Sequence, residues 1–513
     1  MHFTSKYSSI VIFGKKFSTY LLVLLLALFF RGITLEYGDL IDPTETRYAT
    51  IAENMLISSD WVTPRLPTEN GLEAYLSKPP LHFWLTAIAY KFLGIDEWTS
   101  RLPSYLSLLL ITLCLIIYSK NFLTKEAGYI AGIVTCTSPL IFVLAGSSTV
   151  DLTFGALVFA ALVFFAISAK KIELREKNFL ASAIFFSFCA LAFLTKGPLA
   201  LILIGMPIAF FCLFKKSFAP ISNLHLTTGT ILFLGICAPW FYLLEKANPG
   251  SVWYYFYNEN YLRYVTKDYG GRYGAAHIRP YGSIWIMLIL SLLPWSLYLF
   301  INLFNRAKNY KQISLKEINP WVFFSLACGL SPVLFFTVGR SILPAYVAPG
   351  IPGLALYLGY VLSSAKKKEP QVINKKTTRL KELLHFSPLV GLTMLTILLT
   401  VLFFVAPIIE TKKSAAELIE LIALETRREK PTIAVIATDN YSPFWISSAY
   451  KEELSKPVNI KYATPTEIEN GIYKNVIIRD KGRDLTPIKS NPSYKKIASK
   501  GYWHWYRRVN IPD

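Results

Sequence analysis

Charge is scarce in this chain. Only 17% of its 513 residues are Asp, Glu, Lys or Arg, whereas soluble domains carry about 25%. Hydrophobic residues make up 53% and the mean hydropathy is +0.40, which excludes an ordinary water-soluble globular protein. The six cysteines (Cys114, Cys136, Cys189, Cys212, Cys237 and Cys328) all lie inside apolar runs, and none forms a CxxC pair. A disulfide framework and a thiolate metal site are thereby excluded, leaving small buried hydrophobes. No HExxH or P-loop pattern occurs, so neither a zinc-hydrolase helix nor a nucleotide-phosphate cradle is encoded. Tandem repeats, low-complexity tracts and coiled-coil heptads are absent as well.

What the chain has is long apolar runs. They fall near 18–37, 101–119, 127–145, 151–168, 179–195, 198–214, 225–244, 282–303, 319–337, 342–363 and 387–408. Runs of this length predict a polytopic α-helical membrane protein with about eleven to thirteen spans. Lys6, Lys15 and Lys16 precede the first run, and no small-x-small cleavage site follows it. An uncleaved first span is expected.

Lys and Arg number 53 against 33 Asp and Glu, a formal charge of +20. Positive loops that set membrane orientation, and attraction to anionic lipid, account for this excess. No basic stretch carries the interleaved aromatics of a nucleic-acid binder, so nucleic acid is not an expected partner. The segment 79–94 is short and contains His82 and Lys91. If it does not cross, the N-terminal lysines, Lys120/Lys125, "KKIELREK" (170–177), Lys215/Lys216, "RAKNYKQISLK" (306–316) and "KKKEPQVINKKTTRLK" (366–381) all share one face. That face is then cytoplasmic. Segment 79–94 is accordingly expected on the outer surface, beside an amphipathic helix at about 43–57.

The other face collects the ionisable groups. In "LIDPTETRYATIAENML" (40–56), Asp42-Pro43 starts a helix, and Glu45, Arg47 and Tyr48 follow on its first turns. Helix capping explains the acids; so does orientation or deprotonation of an acceptor hydroxyl. Lys78 stands before two prolines in "YLSKPPLHFWL" (75–85), where Pro79 and Pro80 suit the start of a helix. Asp151 opens one apolar run and Lys196 ends another, and ionisable groups at a bundle mouth are functional candidates. The long loop 257–285 brings Arg263, Arg272, His277 and Arg279, which can ring an anion. Arg340 and Tyr346, in "GRSILPAYVAP" (339–349), can hold a phosphate. After residue 408 the composition changes: a helix is expected in "AAELIELIALETRREK", and strands in "PTIAVIATD" (431–439) and "NVIIRD" (475–480). The expected organisation is a membrane domain over 1–408, with juxtamembrane helices in 38–100, and a small extracytoplasmic α/β domain over 409–513.

Taken in order, "DPTETRYATIAENML", "DWVTPRL" (60–66), "KPPLHFWL" (78–85) and "GIDEWTSRLPS" (94–104) resemble the ArnT-like lipid A aminoarabinose transferases. These belong with the protein O-mannosyltransferases among the GT-C glycosyltransferases. "TKGP", the "PW" at 294–295 and "LPAYVAP" extend the resemblance over about 40–360. The resemblance implies sugar transfer from undecaprenyl phosphate at the periplasmic side of a bacterial inner membrane. The acceptor would be lipid A or another glycolipid or protein, and no cofactor beyond the lipid-linked donor would be needed. It implies lipid-phosphate binding by Lys78 and Tyr346 with a loop arginine (Arg263) or Arg340, and catalysis by a first-loop acid (Asp42 or Glu45); Asp151, at the bundle mouth, is expected to assist. Two departures stand out. Relatives often read Asp-Glu-x-Arg-Tyr where Thr44 precedes Glu45 here, and Asn260 stands where aminoarabinose transferases often have histidine. A transporter or lipid flippase is the alternative class; it would carry charges at mid-membrane and internal repeats.

Overall fold

The structure is a computed structural model. It describes residues 9–12, 15–68, 70–266, 277–308, 318–365, 387–426, 430–436, 441–449, 454, 457–480, 486–489 and 491–509. Arg272, most of the basic segments 306–316 and 366–381, Lys6 and residues 437–439 lie outside the described residues.

A helix rises about 1.5 Å per residue, so about 20 apolar residues cross the hydrocarbon layer. Among the described residues six stretches satisfy this: α4 (Glu97–Phe122), α7 (Val150–Glu173), α8 (Phe179–Lys196), α11 (Leu226–Ala247), the stretch Pro344–Ser364 and the Pro388–Ile409 portion of Ser387–Lys413. Three shorter apolar helices join them: α1 (Thr19–Ile33), α9 (Leu199–Lys215) and α16 (Pro320–Phe336). The chain is therefore a multi-pass membrane protein. The central helix is α7, packed by α4 and α8 and buried along most of its length. Its small residues, among them Gly155, Ala156, Ala160 and Ala161, permit that close approach. A Cβ on Gly155 would meet the backbone of Pro349 at 3.4 Å. Asp151 thus stands at the end of the most enclosed helix in the bundle.

Two expected spans are not single helices. The 127–145 run divides into α5 (Lys125–Cys136) and α6 (Pro139–Leu144). Thr137 and Ser138 turn their hydroxyls onto the carbonyls of Ile133 and Val134 there, and Pro139 contributes no N–H to continue the ladder. The 282–303 run divides into α14 (Ser283–Ser291) and α15 (Trp295–Lys308), which meet at 119°. Pro294 at the break explains the bend. The loop 257–285 is not structureless either. Short α12 (Ser251–Trp253) leads into a π-helix, Tyr254–Leu262, followed by α13 (Arg263–Val265). Residues Pro344–Gly350 form a 3-10 turn ahead of α17 (Ile351–Ala365), and α10 (Ala219–Ser222) is a single turn.

At the Asp151 end of the bundle, α2 (Thr44–Ser58) packs on α3 (Leu81–Leu93). With 13 residues, α3 falls short of a span. An antiparallel hairpin, β3 (Arg65–Thr68) with β4 (Gly71–Ala74), follows α2, and another, β1 (Ser9–Ile12) with β2 (Lys15–Ser18), precedes α1. The last apolar helix, α18 (Ser387–Lys413), runs into α19 (Ala416–Glu425). Then come β5 (Thr432–Ile436), α20 (Ser442–Ala449), β6 (Asn459–Tyr462), α21 (Pro465–Glu469), β7 (Asn475–Arg479), α22 (Thr486–Lys489), β8 (Tyr494–Lys500) and β9 (Trp503–Arg508). The strands form one mixed sheet in the order β6-β5-β7-β9-β8. Both expected strands are present, with three more in the same sheet. One hydrophobic cluster joins this unit to the juxtamembrane layer: Tyr48, Ile51, Ala52 and Met55 share it with Leu418, Ile422, Trp445 and Trp505.

Candidate active site

The cleft is built around Lys78, in the turn between β4 and α3. Pro79 and Pro80 precede the first residue of α3, so the lysine is fixed at a rigid corner. Its Nζ donates to the Ser77 carbonyl (2.9 Å) and Oγ (3.0 Å). Ser77 Oγ in turn donates to Glu259 Oε2 at 2.7 Å, and Arg263 Nη1 donates to the same oxygen at 3.0 Å. Tyr254 adds its hydroxyl to the other oxygen at 3.3 Å. Glu259 and Arg263 are four residues apart where the π-helix passes into α13, so their side chains share one face. Lys78 is half-buried. Burial, opposed by Glu259 and Asp151 and aided by Arg263 and Lys196, brings its pKa down to about 7.

The opposite wall comes from α7, α8 and the Pro344–Gly350 turn. Lys196 pairs with Asp151 at 2.5 Å, with side-chain exposures of 10% and 16%. The ammonium also lies 5.2 Å from the Tyr346 ring centroid and 5.3 Å from that of Phe154. Gly197 caps α8 with φ +65°, and the Tyr255 hydroxyl fills the space a Cβ would need. From α2, Tyr48 is hydrogen-bonded to Tyr75; burial, then the proximity of Tyr75 and Asp151, holds its phenol well above the usual range and therefore neutral. His82, fully buried on α3, has Nδ1 3.1 Å from Thr153 Oγ1. Burial pushes its pKa down to about 4, with Asp151 opposing, so it is a neutral imidazole.

Lys78, Arg263, Tyr346, Asp151, Lys196 and Tyr48 thus come together; the other sequence-derived residues lie elsewhere. Glu45 faces away, accepting from the amides of Ser148 (2.8 Å) and Ile41 (3.0 Å) and lying 3.5 Å from Arg101 Nε. Arg101 itself binds the carbonyls of Leu35, Tyr37 and Asp39. Asp42 is turned toward the C-terminal unit, and Arg47 lies 5.5 Å from the Tyr441 ring centroid. Arg340 stacks on Tyr281 and donates to its hydroxyl at 2.7 Å. His277 packs by backbone pairing, its carbonyl accepting from Ile342 N–H at 3.2 Å. Its imidazole pKa is lowered by burial and then by Arg263 and Arg279. Ser77 and Glu259 are missing from the sequence-derived set. The Glu259/Arg263 spacing is an i,i+4 pair, a signal that appears only once the segment is read as helical. Among the described residues, no group of three or more His, Cys, Asp or Glu side chains is placed to hold a metal ion.

Residues 77–243 match the family model described as dolichyl-phosphate-mannose-protein mannosyltransferase. An undecaprenyl phosphate-alpha-4-amino-4-deoxy-L-arabinose arabinosyl transferase of Proteus mirabilis is 28% identical over 357 residues, covering 67% of this chain and 60% of that protein. A Pseudomonas fluorescens protein of the same description is 28% identical, covering 70% of this chain and 57% of its own length. The chain therefore spans less than two thirds of these relatives. The crystal structure of ArnT from Cupriavidus metallidurans bound to undecaprenyl phosphate superposes with a TM-score of 0.76 at 20% identity, covering 95% of this chain and 98% of that one. The archaeal oligosaccharyltransferase AglB from Archaeoglobus fulgidus gives 0.53 at 12% identity, covering 96% and 75%. The chain is thus similar in sequence to these arabinosyl transferases and shares the fold of the ArnT crystal structure.

Proposed function

We propose that the protein is a glycosyltransferase that moves a sugar from a polyprenyl-phosphate donor to lipid A or another extracytoplasmic acceptor. The observation that carries this reading is the meeting of Lys78, Arg263 and Lys196 with Tyr346 beside the Asp151 carboxylate, at the bundle end covered by α2 and α3. A phosphate leaving group needs preorganised positive charge at the oxygen it takes away, and an acceptor hydroxyl needs a carboxylate within hydrogen-bond reach. Here both stand in one cleft.

In this mechanism Lys78 and Arg263 exchange their contacts with Ser77 and Glu259 for the donor phosphate. Tyr346 lines the phosphate pocket, and Lys196 holds Asp151. The acceptor oxygen attacks the anomeric carbon from the side opposite the phosphate. Its bond to that carbon forms as the carbon–oxygen bond to phosphate breaks. The electron pair leaves on the phosphate oxygen, and the hydroxyl proton passes to Asp151. One displacement inverts the anomeric centre. Asp42 and Glu45 support the scaffold in this scheme.

An undecaprenyl-phosphate-linked pentose suits the activity named for the Proteus and Pseudomonas relatives; in this scheme it passes to lipid A on the periplasmic side of the inner membrane. Asn260, in place of the frequent histidine, leaves room for a different sugar. No metal or dissociable cofactor enters the scheme. The test is transfer from a radiolabelled undecaprenyl-phosphate sugar to lipid A by the purified protein in EDTA, with mass spectrometry of lipid A from cells with and without the protein. An unmodified lipid A in both strains, and no transfer to any lipid or protein acceptor, would sink the reading.

A further inference from the structure

We propose that Asp42 is a positioning residue, a latch that seats the C-terminal sheet unit on the start of α2 and so fixes the Tyr48 wall of the cleft. The kinetic part of this proposal rests on the transferase reading; the structural part does not.

Asp42 lies two residues before α2 and is 2% exposed. Its Oδ1 accepts from the backbone N–H of Tyr441 (3.1 Å) and of Ser442 (3.0 Å), where α20 begins. The same oxygen accepts from the Thr46 hydroxyl on the first turn of α2. Its Oδ2 lies 3.9 Å from Arg479 Nη1, at the end of β7. One carboxylate therefore joins α2, α20 and the central part of the sheet. An anion is favoured at a helix N-terminus, and charge-assisted bonds to amides are stronger than neutral ones. A general base needs the acceptor proton within about 2.6–3.2 Å, and the protein itself fills the approaches to Asp42.

Neighbouring contacts act in the same direction. Trp445, on α20, donates its indole N–H to Glu97 Oε1 at 3.2 Å and packs 6.0 Å from the Tyr90 ring. Arg47 covers Tyr441. The helix so anchored carries Tyr48, hydrogen-bonded to Tyr75 and close to Asp151. Displacing the sheet unit therefore shifts a wall of the cleft without touching Lys78 or Asp151.

Two variants of the full chain separate a latch from a base. In Asp42→Asn the amide oxygen can still accept both backbone N–H groups, whereas in Asp42→Ala nothing can. The latch predicts that Asn keeps kcat within about threefold, while Ala loses about tenfold in kcat with donor KM changed less than about twofold. Hydrogen exchange at the Tyr441 and Ser442 amides should speed up in Ala and stay slow in Asn. Thr46→Val serves as a milder variant if Ala folds poorly, with a smaller rise in the same exchange. Equal loss of about 10²–10⁴-fold in Asn and Ala, with both amides still protected, would make Asp42 a base and overturn the latch. If the wild-type protein transfers no sugar, the transferase reading fails, and the exchange measurement alone decides the latch.

Discussion

Lys78 holds a balance that a bound phosphate would tip. Burial and the neighbouring Arg263 and Lys196 bring its pKa to about 7, against the pull of Glu259 and Asp151. A sugar phosphodiester keeps its single negative charge across the neutral range, so it binds the ammonium form and raises the lysine's pKa. Below pH 7 the ammonium is already present and affinity is flat. Above pH 7 binding must take up a proton, and affinity falls, approaching about tenfold per pH unit while the complex stays protonated. Titration of wild-type protein with the donor between pH 6 and 9 should show this decline, and Lys78→Arg should flatten it, because a guanidinium stays charged throughout. A flat wild-type profile would contradict the assigned role. Gly197 offers a second check. Its φ of +65° with ψ of −141° is a conformation alanine rarely adopts, at a cost of roughly 1–3 kcal/mol, and the new Cβ would drive the Tyr255 hydroxyl away. Gly197→Ala should lower kcat/KM about tenfold by moving the wall that bears Glu259 and Arg263. The kinetic assay should record that loss with donor and acceptor both saturable.

Two elements carry most of what positions the cleft. The first is the segment from Ser251 to Val265, whose central π-helix and following α-turn bring Glu259 and Arg263 to the Ser77–Lys78 corner. The second is α2, held between α3 and α20. Trp445 is 1% exposed at that second junction. Trp445→Ala should destabilise the C-terminal unit by about 3–5 kcal/mol, measured as faster amide exchange in β5 and β7 with little change in α7. Part of this was legible in the sequence. Lys78, Asp151 and Lys196 stand out because each interrupts or ends an apolar run, and a charge there needs a partner. The α2/α3 pair followed from proline placement and the sign of the loops. Glu259 and Ser77 were not legible, because one acid in an aromatic loop, or one hydroxyl beside a lysine, carries no mark of its own. The contacts of Asp42 and Glu45 were hidden for another reason. Their partners, the amides of Ser442 and Ser148, are 400 and 103 residues away, and backbone donors leave no trace in side-chain pattern. The breaks in the 127–145 and 282–303 runs were masked by uniform apolarity, although Pro139 and Pro294 were there to be weighed.

Across the whole molecule, polar chemistry gathers at one end of an apolar bundle. Helix α7 is enclosed by α4 and α8 and presents Asp151 at its mouth, while the last apolar helix leads straight into the sheet unit that covers α2. A transporter would need its charges part-way along the spans; Lys78, Asp151, Lys196 and Arg263 instead meet where α7 starts and α8 ends. That arrangement suits a reaction on a lipid-borne substrate at a membrane surface. Lys78 is its centre. The most direct measurement is transfer from a labelled undecaprenyl-phosphate sugar by Lys78→Ala, purified beside the wild type and shown by amide exchange to be equally folded. Loss of one preorganised donor to the leaving phosphate predicts a fall of about 10²–10³-fold in turnover. Wild-type turnover in the folded variant would contradict the assignment of this cleft to the lipid phosphate.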